Sequence, residues 1–228
     1  KEEAQNLFKY GYLSLRERAG AERLFWNCCE KIQSKVKKLK FVPEELWDLD
    51  RTMSSIYYCN FSLFQSAPDI WAIDQLFPIM PIHRLDEQPE VTARLADLTC
   101  DSDGMIDRFI DVEEDKQVLE VHDYRPDEPY FMAMFLNGAY QEILGDLHNL
   151  FGDTNAVHVR LTEEGYEVRH VVKGDSIADV LRYVEYQPEG MVEAVRKQAE
   201  RAVQSGRLTN EQMRTLMPQP ARWRRWTP

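Results

Sequence analysis

Near the start of the chain, apolar residues recur at helical spacing. Ala21, Phe25, Cys28, Ile32 and Leu39 share one stripe, with Leu24 and Val36 beside it, which predicts an amphipathic helix. Lys31, Lys35, Lys37, Lys38 and Lys40 gather toward its end, where positive charge complements the helix dipole. Pro43 opens a second predicted helix, with Leu46, Leu49, Met53 and Ile56 on one face. Around Tyr58 the period shortens. Residues 60–64 alternate and predict a strand. Residues 71–82 are apolar but interrupted by Pro78 and Pro81, which predicts an edge or irregular strand. Further strands are expected over 95–99, 105–110, 118–121 and 131–136. Val157, Val159 and Leu161 alternate, Glu164-Gly165 turns the chain, and Tyr166, Val168 and His170 alternate back, the pattern of a hairpin.

Helical spacing then returns. Asp175 or Ser176 can cap a helix carrying Ile177, Val180, Leu181 and Val184. Met191, Val192, Val195, Ala199 and Ala202 mark another, and Thr209 with Gln212 forms a capping box for a third, stopped by Pro218. Trp223-Arg224-Arg225-Trp226 reads either as a loose terminus or as a segment that docks on a partner. The order is helices, a β-rich middle, then helices. That is an α+β arrangement. It excludes a Rossmann-type sheet or a complete (β/α)₈ barrel, in which strands and helices alternate.

Composition narrows the classes. The chain has 228 residues, 28 Lys+Arg against 39 Asp+Glu, and a net charge of −11. An acidic balance argues against general nucleic-acid binding, which needs a basic face. The stretch from Leu85 to Glu128 holds fifteen acids and only Arg94, Arg108, Lys116 and Arg125 as bases. Most of it, including Asp111, Glu113, Glu114, Asp115, Asp127 and Glu128, reads as solvated loop. Cys28, Cys29, Cys59 and Cys100 make no C-x-x-C pair, so neither a zinc ribbon nor a thioredoxin-type site is indicated. No secretory leader and no run of ~18 apolar residues occurs. The expectation is a cytoplasmic chain without a membrane span. It starts Lys1-Glu2-Glu3 rather than with Met and is expected to be a piece of a longer protein.

Two segments can carry chemistry. Thr99-Cys100-Asp101-Ser102-Asp103-Gly104 puts a thiol and two carboxylates on one short loop. A thiol can move a proton, and a carboxylate pair can hold a planar guanidinium through bidentate hydrogen bonds. The same letters also describe a plain turn, with Asx bonds and Gly104 at a positive φ. They miss the spacing of a calcium loop. Asn137-Gly138-Ala139-Tyr140-Gln141-Glu142 opens a helical face at the end of an apolar strand. The Tyr140 hydroxyl could there donate to an anion, or the ring could be a half-buried core residue. His148 reads as a packing or interface residue. His83, His122, His158 and His170 show no metal-ligand spacing. Nor is there a G-x-G-x-x-G or Walker-type loop.

Taken together, these segments resemble the biosynthetic arginine decarboxylases. Asn60-Phe61-Ser62-Leu63-Phe64-Gln65-Ser66, Pro68-Asp69, Ile73-Asp74-Gln75-Leu76-Phe77-Pro78, the loop from Thr99 to Gly104, Gly138-Ala139-Tyr140-Gln141-Glu142-Ile143-Leu144-Gly145 and His148-Asn149-Leu150-Phe151-Gly152-Asp153 carry the resemblance. It is specific over 57–183, weak in the first helices and absent after about residue 207. The family is similar to the ornithine and diaminopimelate decarboxylases, pyridoxal 5'-phosphate enzymes of fold type III. The resemblance implies a C-terminal β-barrel- or sandwich-like domain over 59–174. Residues 1–58 would belong to an inserted helical bundle, and 175–228 would form C-terminal helices and a tail. It implies conversion of L-arginine to agmatine and CO₂, a step toward putrescine and spermidine. Cys100 would protonate the substrate's Cα after CO₂ leaves, Asp101 and Asp103 would hold the guanidinium, and Tyr140 would bind the cofactor phosphate. Mg²⁺ is a further candidate cofactor. The loop of Cys100 would reach a partner subunit's site, so a homodimer or larger assembly is implied. The family's N-terminal (β/α)₈ barrel, with its Schiff-base lysine, has no counterpart in these residues, so the chain alone is expected to be inactive. The alternatives are a non-catalytic, decarboxylase-like regulator and a purely structural domain.

Overall fold

The computed structural model describes residues 1–217 apart from 37, 47, 102 and 113. The expected stop at Pro218 and the Trp223-Arg224-Arg225-Trp226 tail lie outside the described residues, as do Lys37, Ser102 and Glu113. The chain opens with helices α1 (Glu2–Lys9), α2 (Leu15–Val36) and α3 (Leu49–Met53), with a 3₁₀ turn at Glu44–Leu46. The middle holds strand β1 (Ser55–Tyr58), helices α4 (Leu63–Ser66) and α5 (Pro68–Ile73), and strands β2 (Ile79–Pro81), β3 (Val91–Ala96), β4 (Met105–Ile106), β5 (Leu119–Val121) and β6 (Met132–Met134). Then follow α6 (Ala139–Leu144), the hairpin β7 (Ala156–Thr162) and β8 (Gly165–Val172), and helices α7 (Ile177–Tyr183), α8 (Pro188–Gln204) and α9 (Asn210–Leu216). Helix and strand are mixed, and among the described residues the strands form short ladders and no closed barrel.

Two compact units interleave along the chain. The first comprises Lys1–Tyr57, Pro78–Arg94 and Asp107–Ala133; the second comprises Tyr58–Phe77, Leu95–Ile106 and the chain from Met134 onward. In the first, α2 starts earlier than the apolar stripe alone shows. Ser14 and Glu17 cap it reciprocally: the Glu17 N–H donates to Ser14 Oγ (3.3 Å) and the Ser14 N–H to Glu17 Oε2 (2.8 Å). The helix expected after Pro43 is split into the 3₁₀ turn and α3, and Ile56 belongs to β1. The first half of β3 pairs with β5, Val91 opposite Val121 and Ala93 opposite Leu119. Ala93, Leu119, Val121 and Phe109 are the buried apolar residues of this region. His122 is buried beside them. Its backbone N–H donates to the Tyr130 hydroxyl (2.9 Å), which in turn faces His122 Nδ1 (2.8 Å), and Nε2 faces the Glu87 carbonyl (3.0 Å). Because a carbonyl only accepts, the Nε2–H donates to Glu87, and in the neutral ring Nδ1 then accepts the Tyr130 hydroxyl proton. The acidic stretch is largely surface here. Arg108 pairs with Asp115, Arg125 with Glu87 and Glu128, and Lys116 with Glu120.

One expected strand is replaced by helix, and another is shortened. Over 60–64 the alternation gives way to α4, because Ser62 caps it by accepting from the Gln65 N–H, and Leu63, Gln65, Ser66 and Ala67 are buried. A five-residue stretch is too short to separate strand from helix by period, and the cap decides. Over 71–82, Pro68 takes the first position of α5, where its missing N–H costs nothing; strand is confined to β2. The strand expected at 105–110 shrinks to the two residues of β4, which pair with the end of β3, Leu95 opposite Ile106. The hairpin forms as expected, with Val157, Val159 and Leu161 facing Val171, Val168 and Tyr166 across the ladder. All six are exposed. Ser176 and Thr209 cap α7 and α9 with complete capping boxes.

Candidate functional site

The thiol loop is built from Asp97, the first residue after β3. Its carboxylate is 5% exposed and accepts three hydrogen bonds. Oδ2 takes the Leu63 N–H at the start of α4 (2.9 Å), and Oδ1 takes both the Thr99 N–H (3.0 Å) and the Thr99 hydroxyl (2.7 Å). A buried carboxylate satisfied in this way is a rigid anchor. The Asp97 N–H also donates to the Gly104 carbonyl (2.8 Å), so both ends of the loop are tied. The expectation of a positive φ at Gly104 is corrected, because Gly104 is absent from the positive-φ glycines. It is required for space instead: a Cβ there would sit 2.1 Å from Asp97 Oδ1. Within the loop, the Gly104 N–H donates to the Asp101 carbonyl (3.3 Å) and the Met105 N–H to the Asp103 carbonyl (2.8 Å).

Cys100 and Asp101 are exposed on this anchored loop. Each meets one residue of a second loop. His148 Nε2 lies 2.9 Å from Asp101 Oδ2, so Nε2 carries the proton and donates. Asn149 Nδ2 donates to Cys100 Sγ at 3.3 Å. The His148 ring is seated against Phe64 (4.8 Å between centroids), which packs edge-on to Trp71 (5.4 Å). Asn149 and Leu150 hold φ of 54° and 60°, a left-handed conformation that Asn tolerates and Leu rarely adopts. Beyond them, Gln65 Nε2 donates to Asp153 Oδ1 (2.7 Å). Gly152 is packed so that a Cβ would sit 2.4 Å from the Asp175 Cβ. The expectation that His148 is a packing residue captures its contact with Phe64 but misses Asp101, a partner 47 positions away that local spacing does not reveal.

Asp103 is exposed on the same loop as Cys100 and Asp101. Tyr140 stands on a separate element, in the first turn of α6, and is 73% exposed. The half-buried core reading for it is therefore set aside. Helix α6 is held by buried Gln141, which donates through Nε2 to Asp69 Oδ2 (2.6 Å) and accepts the Asp69 N–H (3.2 Å). It ends at Gly145, where a Cβ would lie 1.9 Å from the Gln65 carbonyl oxygen. His148 lies beyond the end of this helix rather than on it.

The two thiols of this unit differ in environment. Burial, and then the negative charge of Asp97, push the Cys59 thiol up to about 11, whereas Cys100 is exposed. Among the described residues no group of three or more His, Cys, Asp or Glu side chains could hold a metal ion. Nor, among the same residues, is any helix long and apolar enough to cross a membrane.

Residues 1–50 match the family model for the arginine decarboxylase helical bundle domain. Residues 177–219 match the one for the arginine decarboxylase C-terminal helical extension. A biosynthetic arginine decarboxylase of Gloeobacter violaceus is 60% identical over 222 residues, 95% of this chain and 34% of the relative. One from a Nostoc species is 60% identical over 228 residues, all of this chain and 34% of the relative. The crystal structure of the biosynthetic arginine decarboxylase of Campylobacter jejuni aligns with a TM-score of 0.67 at 32% identity, over 98% of this chain and 34% of that one. The chain thus spans about a third of the length of the curated relatives it matches.

Proposed function

We propose that this chain, homologous throughout to a C-terminal portion of the biosynthetic arginine decarboxylases, supplies the substrate side of the active site of such an enzyme. The complete protein would convert L-arginine to agmatine and CO₂, a step toward putrescine and spermidine, in the cytoplasm. The observation that carries the reading is the presentation of Cys100 and Asp101 side by side on a loop anchored by buried Asp97. Residues 1–58 are assigned to the helical bundle, 59–174 to the C-terminal β domain of fold type III, and 175–228 to the C-terminal helices and tail.

The chemistry divides among this chain's own groups. The Cys100 Sγ–H delivers a proton to the substrate's Cα once CO₂ has left. Asp101 and Asp103 accept the guanidinium N–H groups, a pairing stronger than that between neutral groups. Pyridoxal 5'-phosphate, when bound, supplies the electron sink that makes loss of CO₂ possible. The exposed hydroxyl of Tyr140 suits one phosphate oxygen of that group. The Schiff-base lysine would come from the (β/α)₈ barrel of the longer protein, and assembly as a homodimer or larger oligomer would bring the Cys100 loop to a neighbouring subunit's site.

The test is to measure agmatine and CO₂ release from L-arginine by the complete protein loaded with pyridoxal 5'-phosphate, and by this chain alone. Turnover is expected from the first and none from the second. A folded, loaded complete protein that leaves arginine untouched would refute the reading.

A further inference from the structure

We propose that His148 and Asn149 are positioning residues, each acting on one member of the Cys100–Asp101 pair. The inference rests on the reading of that pair given above. Two adjacent residues of one loop meet two adjacent residues of another, one to one: His148 Nε2 to Asp101 Oδ2 at 2.9 Å, and Asn149 Nδ2 to Cys100 Sγ at 3.3 Å. Neither pair is built from sequence neighbours, since 47 and 49 positions separate the partners.

The second loop is itself constrained. Phe64 seats the imidazole, Gln65 holds Asp153, and the backbone at 149 and 150 is left-handed. That conformation persists in non-glycine residues only where the surroundings impose it.

The consequences for the two partners differ. An exposed Asp samples several rotamers. His148 holds one oxygen of Asp101 and leaves Oδ1 to receive the cationic end of the substrate, so the ordering is complete before binding. An exposed thiol rotates freely. The Asn149 amide fixes Sγ, and so sets the line along which its S–H can reach the substrate's Cα. His148 therefore acts on substrate affinity, and Asn149 on the reactivity and aim of the thiol.

The test uses the complete enzyme with pyridoxal 5'-phosphate. His148→Phe keeps a ring against Phe64 and removes the donor; its KM for arginine should rise about 3- to 10-fold with kcat little changed. His148→Gln, which returns an N–H near the same place, should recover most of the loss. Asn149→Gly suits the left-handed backbone and removes the amide. It should lower kcat on the order of 10-fold at nearly constant KM and, by freeing the sulfur lone pair that the amide occupies, speed alkylation of Cys100 by iodoacetamide about threefold. A merely structural role would move KM and kcat together and would not be rescued by Gln. A KM that does not rise in His148→Phe overturns the role of His148, and an unchanged alkylation rate in Asn149→Gly overturns that of Asn149. If the wild-type enzyme makes no agmatine, the functional reading fails instead, and the alkylation comparison still decides the Asn149 contact.

Discussion

Gly104→Ala should be among the most damaging single-methyl changes in this chain. At a position without positive φ, alanine would ordinarily stabilise by about 0.4–1 kcal/mol through the unfolded state. Here the added Cβ meets Asp97 Oδ1 at 2.1 Å, Cγ at 2.5 Å and Oδ2 at 2.6 Å. The obstacle is not the loose end of a surface side chain. The carboxylate is buried and fixed by the Leu63 N–H, the Thr99 N–H and the Thr99 hydroxyl. It must move by well over 1 Å to reach ordinary contact, far enough to break two of these bonds. Hydrogen bonds to a charged group contribute about 1.5–3 kcal/mol each, so the expected loss is about 3–6 kcal/mol, well above the typical point-mutant effect of about 1 kcal/mol. The assay is urea unfolding, with Gly190→Ala as the control. That residue lies in α8, and its Cβ would meet nothing closer than 3.8 Å; the control should gain about 0.5–1 kcal/mol. The double change Asp97→Ala/Gly104→Ala should be no worse than Asp97→Ala alone, because the methyl then has room. A Gly104→Ala protein within 1 kcal/mol of wild type, or full additivity in the double variant, would refute the reasoning.

Alkali should weaken the fold through Cys59. Its thiol ionises near 9.0 when unfolded and near 11 when folded, so its contribution is complete below pH 9 and lost as pH rises toward 11. The loss is on the order of 2–3 kcal/mol, and urea midpoints at pH 8 and 10.5 should converge more in Cys59→Ala than in wild type. Tyr130→Phe should cost about 2–3 kcal/mol, because it leaves the buried His122 N–H and Nδ1 without their partner; thermal melting would show no shift if that network were idle. Ser176→Ala should cost about 1 kcal/mol by removing the cap of α7, measurable as a local rise in amide exchange at Asp179 and Val180.

The sequence pattern located the long helices, the hairpin, a cap at Asp175 or Ser176 and the capping box at Thr209, because those elements are set by local period and by cap residues. It failed at α4 and α5. There Asn60-Phe61-Ser62-Leu63-Phe64 is too short for a period to be read, and the outcome depends on Ser62 and on a carboxylate 34 positions downstream. Cys100, Asp101, Asp103 and Tyr140 were legible as chemistry-bearing groups at loops and a helix start. His148, Asn149 and Asp97 were not legible in those roles, since their partners come from distant segments. The close glycine approaches at 104, 145 and 152 were likewise hidden. Glycine in sequence signals conformational freedom, whereas these three are needed for volume.

One consequence of the Asp97 anchor concerns motion. The amide protons of Leu63 and Thr99 are held by the two oxygens of one buried carboxylate, although 36 residues separate them. Releasing either amide alone would leave one oxygen of a buried carboxylate short of its donor, which is costly. Opening of the thiol loop and fraying of the first turn of α4 are therefore one event rather than two. In native-state hydrogen exchange the two amides should report one common opening free energy and respond equally to denaturant, while the exposed Cys100 amide exchanges independently of both. The loop that presents the chemistry would then be mobile only as a block, hinged where β3 ends.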